Sequence, residues 1–303
     1  MISPISTATS EEAPKASKAA PARIAATPLS LAHLTVLEAS PTQLTILAAR
    51  AGCAFVGLRL IPVTPSETPW PLISSRAMLR ETKRALADNG VGVLDVELVR
   101  LTPDLDVADL EGLLETAAEL GARHVLTQVH DGDFVRAGEK YAALCDRAVG
   151  FGLTCDLEFL PWTDMRDVGA AMTFLNAVNH DQCGLCIDTL HLARSGSPPE
   201  VIDAIPPRWL HFAQICDAPA KAPQTREGLI EAARGERLWP GQGGLPLRAV
   251  IERLPPGAPL ALEIPNRELA LKMPAEARVR GAAEAARALL AEMQSAGDGR
   301  TAN

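Results

Sequence analysis

The chain has 303 residues with 47% hydrophobic content, enough to bury one large core or two modest ones, so disorder is excluded for most of it. A formal charge of −8, without a Lys/Arg stripe interleaved with aromatics, argues against a surface that tracks nucleic-acid phosphates and for a small-molecule partner. No run of eighteen apolar residues supports a membrane span.

Residues 1–27 are rich in Ala, Ser, Pro and Thr without hydrophobic periodicity, the composition of a disordered tail, and they contain no signal-peptide h-region. Short β-rich runs then alternate with helical patterns. The expected strands are 30–37, 55–61, 91–101, 124–129, 153–160, 184–192, 209–216 and 259–266. Between them, stretches such as SSRAMLRETKRALADNG place apolar residues three and four apart and end near Gly, as helices do. Eight strands with helical connections predict one (β/α)₈ TIM barrel over 28–296, followed by a frayed 297–303. Six cysteines (Cys53, Cys145, Cys155, Cys183, Cys186, Cys216) lie in apolar segments, and without a secretory signal they read as reduced and buried in a cytoplasmic protein. Cys183 and Cys186 form a C-x-x-C with no second pair, which reads as strand packing.

In such a barrel the active site lies at the C-terminal ends of the strands, so polar residues late in each strand carry the functional signal. Strand 5 ends with Glu158, strand 6 with Asp188 and then His191, strand 7 with Gln214 and Asp217, and strand 8 with Glu263. Burying lone carboxylates costs several kcal/mol each, so carboxylates in register imply a shared counter-ion. Oxygen ligands from Glu158, Asp188, Gln214 and Glu263 would make one divalent-cation site. The bland alternative pairs each carboxylate with an Arg or uses it to cap the next helix. An all-oxygen set suits Mg²⁺, Mn²⁺ or Co²⁺ better than Zn²⁺.

The series EFLPW, CIDTLHLARSG, QICDAP, RLWPGQGGLPL and LEIPN resembles, in order and spacing, the xylose isomerase-like TIM barrels. That family includes sugar isomerases and epimerases, inosose dehydratase and 3-dehydroshikimate dehydratases, and more distantly endonuclease IV. The resemblance implies metal ligands at Glu158, Asp188 and Glu263, and a substrate-facing His191. It also implies a strand-7 ligand three residues before Asp217, which selects Gln214 over His211; Gln at that position, in QxxDAP, resembles the 3-dehydroshikimate dehydratase branch. His211 then reads as a packed or hydrogen-bonded histidine.

The chemistry expected is removal of a proton beside a metal-bound carbonyl, with Glu158, His191 and Glu263 as candidate catalytic groups. The outcome is isomerisation or epimerisation of a sugar or related polyhydroxy carbonyl compound, or dehydration of the 3-dehydroshikimate type. A non-catalytic sugar-binding protein is the reading from another class. Arg237 and Trp239 in the Gly-rich loop are expected to cover the substrate. Glu97 either pairs with Arg59 or Arg100 or faces the barrel mouth, where His130 and Asp131 also lie. The role of His33 and any homo-oligomeric state stay open.

Overall fold

The computed structural model describes Ile24, residues 26–64 and residues 67–301. Most of the expected N-terminal tail therefore lies outside the described residues. Eight strands, β1 (Leu29–Leu31), β2 (Phe55–Arg59), β3 (Gly92–Leu101), β4 (His124–Val129), β5 (Thr154–Glu158), β6 (Cys183–Asp188), β7 (Ala213–Ile215) and β8 (Leu260–Leu262), pair in parallel and in chain order, with β8 returning to β1. This is a closed (β/α)₈ barrel. Around it lie α1 (Pro41–Arg50), α2 (Arg76–Asn89), α3 (Glu111–Glu119), α4 (Phe134–Val149), α5 (Val168–Val178), α6 (Thr189–Arg194), α7 (Arg226–Gly235), α8 (Leu247–Ile251), α9 (Arg267–Lys272) and α10 (Ala275–Thr301). The last helix runs into the segment expected to fray. Among the described residues no helix is long and apolar enough to cross a membrane.

Helix starts follow local chemistry. Ser40 and Gln43 form a capping box, and Ser75, Asp133, Asp167, Thr225 and Asn266 each accept a backbone N–H in the first turn. Apolar residues divide into two layers. The larger packs the outer strand faces against the helices and includes Leu31, Val125, Leu157, Leu185, Leu262 and Tyr141. A smaller plug of Leu94, Leu98, Leu126, Cys186, Phe212 and Ala261 fills part of the interior. All six cysteines are free and buried, as expected.

Most strands are shorter than the apolar runs that announced them, and at β1, β6 and β7 the cause is local. β1 stops at Leu31 because the chain turns into a 3₁₀ segment, His33–Val36, where Thr35 Oγ1 donates to Leu262 O and the His33 ring bonds Ala39 O. β7 starts only at Ala213, after a Pro-initiated 3₁₀ turn at Pro207–Trp209. β6 ends at Asp188 because that carboxylate caps α6, accepting from the backbone N–H of Leu190 (2.7 Å) and His191 (2.9 Å). His191 is thereby moved from the expected strand onto the first turn of a helix.

Candidate metal centre

Strand register brings the predicted ligands together at the C-terminal end of the barrel. Asp188 pairs with Gln214 across β6 and β7, Gln214 with Ala261 across β7 and β8, and Glu158 with Cys186 across β5 and β6. Glu158, Asp188, Gln214 and Glu263 are all buried. Glu158 and Glu263 border a cavity of about 420 Å³ that is also lined by Arg59, Arg100, Gln128, His130, His191, Arg234 and Arg237.

Arg237 is inside this cluster. Its Nη1 lies 2.5 Å from Asp188 Oδ2 and its Nη2 3.0 Å from Glu263 Oε2, while Nε donates to Ala233 O. Burial opposes its charge, but Asp188, Cys216 and Glu263 outweigh burial and hold the guanidinium ionised. Arg237, expected to cover the substrate, thus lines the cavity with its guanidinium paired to two of the carboxylates. The ring of Trp239, also expected to cover the substrate, lies against Gly281 of α10, where a Cβ would come 2.4 Å from it, and is not among the side chains that line the cavity.

The loop that carries both residues is tied down by Asp217. Asp217 Oδ1 accepts from Ala218 N and Leu245 N, Oδ2 accepts from Gly241 N, and its backbone bridges Leu238. Gly243 has no room for a side chain, since a Cβ would sit 2.3 Å from both Ala218 O and Asp217 Oδ1. The Gly-rich turn thus serves close backbone approach, and the tether sets where Arg237 enters the barrel.

One guanidinium does not balance three carboxylates. Asp188 is held below the usual carboxylate range: burial pushes it up, but Arg237, His191 and the capping N–H groups prevail. Burial, with the Asp188 charge added, pushes Glu158 up to about 7. Burial likewise raises Glu263 well above its ordinary value, with Arg237 pulling against and Glu158 and Asp188 pushing with it. Two of the three carboxyls thus tend to keep protons that a divalent cation would replace. Gln214 Nε2 donates to Glu263 Oε1 at 3.0 Å, and its own Oε1 is buried with no protein partner. That orphan oxygen, beside two carboxyls that lack a full counter-charge, fits a hard divalent ion.

Sequence reasoning missed Gln128, which donates to Glu158 Oε2 at 2.5 Å; its signal was a lone amide late in the apolar run HVLTQV. His191 Nε2 lies 3.8 Å from Glu158 Oε1, its Nδ1 is buried without a partner, and Trp162 packs edge-on against its ring. Burial lowers its pKa to about 4, Asp188 opposing and Arg237 adding, so the imidazole is neutral at neutral pH. Oxygen or nitrogen atoms of Glu158, Asp188 and His191 all lie within 4.8 Å of one another. Glu97 pairs with Arg59 at 3.0 Å, and His33 receives Arg59 N on Nδ1, so both belong to the barrel's internal framework. Asp131 pairs with Arg136.

Arg100 and Arg234 stand at the cavity mouth. Arg100 Nη1 donates to Val63 O, its Nε is buried without a partner, and among the described residues neither arginine has a carboxylate partner. Burial, then Arg234 and Arg59, lowers the Arg100 pKa; burial, then Arg100, Arg234 and Arg226, lowers that of His130 to about 4. Repulsion of this kind is relieved by an anionic group on a ligand.

A closed parallel barrel with buried carboxylates, an amide and a neutral imidazole gathered at its C-terminal mouth is a TIM barrel with a candidate metal site where that fold places its active sites. The chain belongs to the xylose isomerase-like TIM barrel family, whose sequence model matches residues 46–291. It is 27% identical over 159 residues to inosose isomerase of Bacillus subtilis strain 168, covering 49% of this chain and 55% of that protein. It is 28% identical over 127 residues to 3-dehydroshikimate dehydratase of Pseudomonas aeruginosa, covering 41% of this chain and 19% of that protein. The matched stretch thus spans about half the length of the inosose isomerase and a smaller part of the dehydratase. A crystal structure of IOLI protein with a binding zinc atom superposes with a TM-score of 0.73 at 20% identity, covering 88% of this chain and 99% of that one, which shows the shared fold.

Two expected results follow from the geometry. Gln214→Ala should weaken Mn²⁺ binding, read by paramagnetic resonance, by more than the 10–100-fold typical of outer-shell partners, with activity falling in parallel. Metal binding should release protons. Glu158 titrates near 7 without metal, so at pH 6 the ion must displace its proton; affinity should rise towards pH 7 and gain less from this group above it. Glu263, also raised by burial, should add to the release. Calorimetry in buffers of different ionisation enthalpy counts these protons; a pH-independent affinity between 6 and 8 would contradict the assignment.

Proposed function

We propose that the protein is a divalent-metal-dependent isomerase that removes a proton from the carbon beside the carbonyl of a polyhydroxy compound. The observation that carries this reading is His191: a neutral, buried imidazole on the cavity wall, 3.8 Å from Glu158, with one ring nitrogen unpartnered. A divalent ion held by Glu158, Asp188, Gln214 and Glu263 would polarise the carbonyl and acidify the neighbouring C–H. His191 accepts the proton. Its pKa without substrate is low for a base, and ionised Glu158 beside it stabilises the imidazolium as it forms.

Glu263 is tied by Gln214 and Arg237, which leaves it poorly placed to act as a second base. A single base favours returning the proton to the adjacent carbon, an isomerisation, over inversion of one centre by two bases on opposite faces. The isomerase relatives support this outcome. The all-oxygen donors support Mg²⁺, Mn²⁺ or Co²⁺.

A second reading, dehydration of a carboxylated substrate of the 3-dehydroshikimate type, has its own observations. Gln214 stands in QICDAP, and Arg100 and Arg234, which have no carboxylate partner among the described residues, offer guanidiniums to an anion at the mouth. The dehydratase relative supports it. Proton NMR in D₂O with Mg²⁺ or Mn²⁺ separates the cases. Inososes or ketoses that exchange a carbon-bound proton and yield an isomer support the isomerase; 3-dehydroshikimate converted to a conjugated, dehydrated product supports the lyase. Binding without exchange of any carbon-bound proton would leave a non-catalytic sugar-binding protein.

A further inference from the structure

A second constellation of metal-binding side chains lies at the opposite end of the barrel interior. His124 opens β4, Asp156 sits mid-β5 two residues before Glu158, and His211 stands just before β7. His211 Nδ1 is 2.7 Å from Asp156 Oδ1, and His124 Nδ1 is 3.5 Å from Asp156 Oδ2. The two imidazoles stack, with centroids 5.0 Å apart and planes 10° from parallel. Both therefore present Nδ1 to one buried carboxylate. Thr154 Oγ1 completes the group, donating to Asp156 Oδ2 at 2.6 Å and lying 2.7 Å from His124 Nδ1.

We propose that His124, Asp156 and His211 form a structural zinc site that ties together β4, β5 and the entry to β7. Two imidazoles and a carboxylate are a donor set that Zn²⁺ favours, unlike the oxygen set at the other mouth. One donor atom from each residue lies within 4.8 Å of the other two. Tetrahedral bonds of ~2.0–2.1 Å place ligands ~3.3 Å apart, a spacing that side-chain rotation can reach from here. Gly184 lets Asp156 and His211 meet, since a Cβ there would come 2.2 Å from Asp156 Oδ1 and 2.6 Å from His211 Nδ1. Asp95, the ladder partner of His124, adds a buried carboxylate whose Oδ1 has no partner. Access exists, since the His211 side chain is 24% exposed. Phe212 stacks on His124 and belongs to the apolar plug that fills the interior.

The test uses the whole chain, freed of zinc and saturated with Mg²⁺, then titrated with Zn²⁺ while both metals are counted by elemental analysis. Wild type should take up one Zn²⁺ per chain with Mg²⁺ retained, and its Tm should rise with zinc concentration. His211→Asn should bind that zinc more weakly by over 10–100-fold and lose the rise in Tm, while keeping its Mg²⁺. Should the variant fail to fold, side-chain ¹⁵N spectra of wild-type histidines decide: zinc must shift the Nδ1 resonances of His124 and His211. No zinc uptake, uptake only with loss of Mg²⁺, equal uptake by His211→Asn, or unshifted Nδ1 resonances would each overturn the proposal and leave the cluster a hydrogen-bonded clamp.

Discussion

Replacing His191 by Asn is expected to lower turnover by on the order of 10²-fold or more while leaving fold and metal content in place. The residue is 3% exposed, so loss of its side chain must be separated from a packing defect. Asn is polar and smaller, and the backbone N–H that Asp188 caps is unchanged, so α6 should still form. The measurements are single-turnover rate, bound Mn²⁺ and the urea midpoint on one preparation. The mechanism predicts a fall in rate with affinity for the ion preserved. If Mn²⁺ is lost as well, His191 is a ligand, which its position within 4.8 Å of Glu158 and Asp188 donors permits geometrically. Full turnover on the true substrate would transfer the base to Glu158 or Glu263.

Arg237→Met is expected to cost metal-free protein about 3–5 kcal/mol, the usual penalty for removing one member of a buried ion pair. Methionine fills much of the stem volume, so the loss reports mainly the unpaired charge on Asp188 and the worsened position of Glu263. Both carboxyls should respond by taking up protons. Stability of the variant should therefore fall as pH rises from the ordinary carboxylate range through the raised pKa of the folded state, because the unfolded chain ionises first. Added Mn²⁺ or Mg²⁺ should recover part of the loss if the ion shares these carboxylates. Urea unfolding with and without metal, at pH 5.5 and 8, checks both statements. A variant as stable as wild type without metal would show that Arg237 is not the counter-ion that folding requires.

The barrel was legible in the sequence because each strand of a parallel barrel pairs with the next one in the chain. Apolar runs separated by 3.6-period segments therefore specify both element type and neighbour. The same rule made the site partly readable: polar residues late in β5 to β8 must converge at one mouth, which is where Glu158, Asp188, Gln214 and Glu263 lie. Strand ends were less legible. At Asp188 and at Pro206–Pro207 local capping and proline chemistry ended or delayed strands whose apolar composition continued.

What only the tertiary structure decided concerns side chains delivered by loops and opposite strand ends. Arg237 reaches the carboxylates, and Trp239 turns away to α10, because Asp217 and the backbone around Gly243 fix the loop's path. No local period encodes that path, since its hydrogen bonds join residues far apart in sequence. Gln128 on Glu158, and the meeting of His124 and His211 over Asp156, depend likewise on distant partners. The sequence by itself determined which strands neighbour one another and which carboxylates meet at one mouth; packing across the closed barrel decided that a buried arginine supplies part of their counter-charge.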